Sequence, residues 1–60
     1  MNRDLTRRLQ RALGEHPVSM AERRVVIDAA EHVETWDALP DNIQELVREI
    51  EARVFPLGLL

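Results

Sequence analysis

Few side chains in this sequence could do chemistry. The two histidines, His16 and His32, could ligate a metal only with help from nearby glutamates. His16 lies in a turn before Pro17 and His32 falls on a helical pattern. Neither has a second histidine three or four residues away, so the single-helix zinc pattern is absent. His32 stands four residues before Trp36 and four after Asp28, which predicts a packed, paired surface histidine. Nucleophiles are as scarce: Ser19 is the sole serine, and there is no cysteine or tyrosine. The eleven acidic residues are spread over helix exteriors, as a solvated surface requires. A chain this short also cannot enclose a pocket that excludes water. These residues predict no enzyme, no cofactor and no metal.

The arginines carry more pattern. Arg3, Arg7, Arg8 and Arg11 against Asp4 give the first 14 residues a net +3, while ten acids against four arginines give the remaining 46 a net −6. Arg3, Arg7 and Arg11 recur every four residues and so form a stripe on one helix face. Such a stripe could contact nucleic-acid phosphates, because sequence-independent affinity comes from such charges. It could equally be a solvated face, or pair with the acidic helices of another subunit. A helix–turn–helix reading fits poorly. Aligning Val18-Ser19 with the turn of such motifs puts His16-Pro17 where glycine is wanted, and puts Arg23 where a buried Val or Ile belongs. The acidic pI near 5.2 weakens it further. As a membrane-surface segment the first helix lacks a Trp or Phe anchor, and the longest apolar run, Val25-Val26-Ile27, is far short of a span.

The elements that must position these residues read as all-α: three helices near 2–14, 19–35 and 41–54, in one domain over residues 1–60. In the first, Leu5, Leu9, Ala12 and Leu13 share a face. Asn2 is placed to cap it, and Gly14 to end it in a left-handed conformation, with Pro17 beyond. Ser19-Met20-Ala21-Glu22 is a capping box opening the second helix. Val26, Ala30 and Val33 form one stripe there, and Val25, Ala29 and Trp36 another, so wide a face that this helix is expected to be central. Pro40 starts the third helix, Asp41 and Gln44 form a weaker capping pair, and Glu49 and Arg53 an outer i,i+4 ion pair. Ile43, Val47, Ile50, Val54 and Leu57 are spaced four, three, four, three, which is a heptad seam. The tail, Phe55 to Leu60, is apolar and must fold back over the core or sit in a partner.

Size adds a constraint. Sixty residues without cysteine have no disulfide or cysteine-held metal as a staple. The apolar area so short a chain buries roughly cancels the entropy of ordering it. Burial against another chain is the simplest missing contribution, so the bundle is expected to be completed by oligomerisation, most simply as a dimer.

The absence of lysine, together with Trp36-Asp37-Ala38-Leu39-Pro40-Asp41-Asn42-Ile43-Gln44, resembles small orphan all-helical accessory proteins of actinobacterial phages. The likeness spans residues 36–50 at most and transfers no functional residue. It implies binding to a host or phage protein. The expected function is a non-enzymatic protein-protein interaction module: a self-associating adaptor, inhibitor or antitoxin-like protein with an unidentified protein partner. Its expected contact residues are Ile43, Val47, Ile50, Val54, Phe55 and Leu57. The alternative is a small regulator that binds nucleic acid through Arg3, Arg7, Arg8 and Arg11. No secretory h-region follows Met1, which predicts a cytoplasmic location.

Overall fold

The computed structural model describes residues 3–54. They form three α-helices, α1 (Arg3–Glu15), α2 (Met20–Ala30) and α3 (Asp41–Ala52), with a 3₁₀ turn at Trp36–Ala38 between the last two. No strand occurs among the described residues, and no helix there is long and apolar enough to cross a membrane. The helix on which the others pack is α3, not the second one: α1 and α2 both lie against it. Its seam is the reason. Ile43, Val47 and Ile50 meet Leu5, Leu9, Ala12 and Leu13 of α1, Val26 and Ala30 of α2, and Leu39, in one buried cluster. Val26, Val47 and Ile50 are fully buried. The wide face expected of α2 contributes only Val26 and Ala30 to the fully buried core, with Ala29 partly buried.

Helix ends depart from the sequence pattern for identifiable reasons. Gly14 is not a left-handed cap; α1 runs through it to Glu15, and no described glycine has positive φ. The stop comes from Pro17, which disfavours helix at the residue before it. The orphan carbonyl of Leu13 is instead satisfied by the Arg23 guanidinium, which donates to it at 3.0 Å. The capping box at Ser19 forms as expected, with both reciprocal bonds at 3.1 Å.

Helix α2 ends at Ala30, some five residues before its expected limit, in a tightening turn where His32 and Val33 donate to Ala29 and Ala30. Continuing to residue 35 would carry Trp36 onto the Val25–Ala29 side. The break, helped by the β-branched Val33 and Thr35, lets Trp36 swing across to α1. Leu39 is extended, as Pro40 demands, and Pro40 rather than Asp41 occupies the N-cap of α3. The Asp41–Gln44 capping pair is replaced: the Gln44 amide donates to the Trp36 and Leu39 carbonyls at 3.1 Å each, closing the 3₁₀ turn. At the other end α3 stops at Ala52, two residues early, with Arg53 extended.

Candidate functional site

The structure divides the expected contact residues. Ile43, Val47 and Ile50 are 5%, 0% and 0% exposed within the single chain, so they have no surface left to offer a second one. A heptad seam is equally the seam of an intrachain bundle, and here the partners are α1 and α2. Val54 is 78% exposed. Phe55 and Leu57 lie outside the described residues, as does the rest of the apolar tail.

The uncovered apolar surface sits instead on α2, where Met20, Val25 and Ile27 are 74%, 47% and 40% exposed. They fall about a quarter turn to either side of the buried Val26–Ala30 line. Met20 and Ile27, seven residues apart, share one side. Val25 lies on the other, where it lines a groove of about 390 Å³ with Ala29, Pro40 and Ile43, rimmed by Asp28, His32 and Asn42. His32 is an exposed residue of the turn after α2, where a packed, paired histidine on a helix was expected.

One polar cluster fixes the start of α2 to the end of α3. Arg53 donates from both guanidinium ends to the two carboxylate oxygens of Glu22, at 2.9 and 2.8 Å, and also to the Pro17 carbonyl at 3.1 Å. The expected Glu49–Arg53 pair is therefore not made; Arg53 turns inward to the capping box, where Glu22 also accepts from the Ser19 amide. The Arg53 hydrogen bonds and the Ser19 amide together hold the Glu22 carboxyl down at about 2. His16 Nδ1 donates to the Arg53 carbonyl at 2.8 Å, giving this histidine a structural partner. Among the described residues no group of three or more His, Asp or Glu side chains is placed to hold a metal ion.

The basic face of α1 is broken up by carboxylates. Arg8 makes a two-pronged bond to Glu51, both at 3.1 Å, and its guanidinium lies 3.7 Å from the Trp36 ring centre. Arg48 reaches the same ring at 5.8 Å. Arg11 pairs with Glu15 at 3.4 Å along the helix. Arg3 and Arg7 form no ion pair among the described residues. A shallow groove of about 270 Å³ runs between Arg7, Arg8 and Arg11 with Asp4 and Glu51 on its walls. The Arg3–Arg7–Arg11 stripe seen in the sequence exists as geometry, while Arg8 beside it carries α1 against α3 and Trp36.

Comparison with family models, with curated proteins and with solved structures gives no match to this chain.

Proposed function

We propose that this chain is a non-enzymatic protein-protein interaction module whose contact surface is the Met20–Ile27 side of α2. The supporting observation is the exposure of these two apolar side chains on one side of a helix whose first turn is pinned by the capping box, the Arg53–Glu22 pair and the Arg23–Leu13 bond. A rigid helix presenting spaced apolar anchors suits helix-to-helix docking, because little ordering entropy remains to be lost on binding. A second copy is the simplest partner, with α2 against α2 about a two-fold axis, the commonest symmetry of small homo-oligomers. The role we propose for such a surface is that of an adaptor, inhibitor or antitoxin-like protein acting in the cytoplasm, in keeping with the resemblance of residues 36–50 to phage accessory proteins. Light scattering behind size exclusion tests the reading: a dimer at micromolar concentration that becomes a monomer on Ile27→Glu is expected, and a monomeric parent chain contradicts self-association.

The second reading is nucleic-acid binding through α1, favoured by the exposure of Arg3, Arg7 and Arg11 at four-residue spacing. The Glu15 and Glu51 pairings work against it, since they already neutralise Arg11 and Arg8. Binding that falls steeply with salt and disappears in Arg3→Glu/Arg7→Glu would support it. No binding at ~50 mM salt removes it, because low salt maximises this attraction.

A further inference from the structure

Helix α3 carries α1 on one side, through Glu51 and the Arg8–Trp36 stack, and leaves a groove against α2 on the other. The floor of that groove is apolar: Val25 is 47% exposed beside Ala29, Pro40 and Ile43. The two helices run antiparallel, since Arg53 at the end of α3 meets Glu22 at the start of α2, while Pro40 and Ile43 face Ala29 and His32 at its end. From Val25 to His32 the groove runs about 10 Å, or two helical turns. The rim is acidic. Asp28 stands on the α2 side, and on α3 Glu45 and Glu49 follow Asn42 by three and seven residues, on the same side of the helix. From Asp28 to Val47 the sequence holds six carboxylates and no arginine or lysine. None of the six forms an ion pair among the described residues, so their field over the groove is uncompensated.

We propose that this groove docks a cationic amphipathic helix of another protein, with aliphatic residues seated on Val25 and Ala29 and Lys or Arg over Asp28 and Glu49. An apolar trough between two antiparallel helices fits a third helix laid along it. Charge complementarity selects the basic kind, because a neutral or acidic helix gains nothing from the rim or is repelled by it. The cationic helix face of a second copy does not qualify. On α1, Arg3, Arg7 and Arg11 have no exposed large apolar residue beside them to set on the floor. The proposal does not rest on the Met20–Ile27 surface, which lies on the other side of α2. With both surfaces occupied, the chain is a two-sided adaptor.

Titration of the ¹⁵N-labelled full chain with two synthetic peptides of ~15 residues tests it, a length at which such helices begin to hold in water. One peptide carries leucine at the i, i+3, i+4 and i+7 positions and lysine elsewhere; the other carries glutamate in place of lysine. The leucine–lysine peptide should move the amide resonances of Val25, Asp28, Ala29 and Asn42 and leave those of Met20, Arg8 and Leu9 in place. The leucine–glutamate peptide should move none. Asp28→Asn/Glu49→Gln should weaken binding about three- to tenfold, the scale of two screened surface pairs. Val25→Lys, at a half-exposed position outside the buried core, should weaken it by about tenfold or more, since it sets a like charge on the floor. No shift at ~1 mM peptide, equal shifts with both peptides, or either variant binding as the parent does would overturn the proposal. So would shifts gathered on Met20 and Ile27, which place the peptide on the other surface. Groove resonances that move on diluting the chain alone would give the groove to a second copy, and overturn it too.

Discussion

Arg53 and Glu22, 31 residues apart, form a two-pronged ion pair that locks the C-terminal end of α3 onto the capping box of α2. The same carboxylate thus closes a helix start locally and a tertiary contact across the bundle. Its carboxyl is held near 2, against an ordinary value of 4.5. Because the folded state depresses it, the unfolded chain takes up the proton first as pH falls. The stabilisation is complete above about 4.5 and is lost between there and about 2. Thermal melts of the parent and Glu22→Gln should therefore differ most at neutral pH and converge toward pH 2. A gap that stays constant across that range would show that the pair does not titrate as described.

Arg8 is the corresponding tie between α1 and the rest, through Glu51 and the Trp36 face. Arg8→Ala should cost about 1 kcal/mol, the scale of a partly exposed cation–π contact with a screened ion pair. Arg8→Lys should recover only part of that, since lysine lacks the planar fork. Urea unfolding followed by the fluorescence of Trp36, the single tryptophan, measures both.

Gly14 offers a cleaner test of local structure. It is helical, and a Cβ built there meets nothing within 4 Å. Gly14→Ala should stabilise the chain by roughly 0.5–1 kcal/mol through helix propensity and the lost freedom of the unfolded state. A left-handed cap at this position would give the opposite sign, so chemical denaturation decides between them.

Ile50, fully buried against its own chain, separates core from interface. Ile50→Ala should cost about 2–5 kcal/mol. That loss should not depend on protein concentration, as it would if Ile50 lay between copies. Unfolding midpoints measured over a hundredfold range of concentration check this.

The helices, the Ser19 capping box and most of the core were legible in the sequence because each follows from spacing within a few residues. Leu5, Leu9 and Leu13 can share a face only one way. What was not legible depends on pairs far apart in the chain. Nothing local shows that Arg53 would leave Glu49 for Glu22, that Arg23 would cap α1, or that Arg8, a candidate phosphate contact, would pair with Glu51 instead. The early end of α2 belongs to the same class. Periodicity extends the helix to Trp36, and only the position of Arg8 on another helix gives the indole a better place. The heptad of α3 shows the converse limit: its spacing requires a partner helix but does not say whether that partner belongs to the same chain. The burial of Ile43, Val47 and Ile50 within the chain is what shifts the proposed surface for partners to the exposed Met20 and Ile27.

The most direct measurement of that surface is a dilution series of the ¹⁵N-labelled full chain, following every amide resonance from millimolar to low micromolar concentration. Resonances of Met20, Arg24 and Ile27 on the outer side of α2 should move together along one binding curve, while those of Glu45 and Glu49 on α3 stay fixed. Shifts confined to α3 or to the arginines of α1, or no shift anywhere, would contradict an interaction module built on α2.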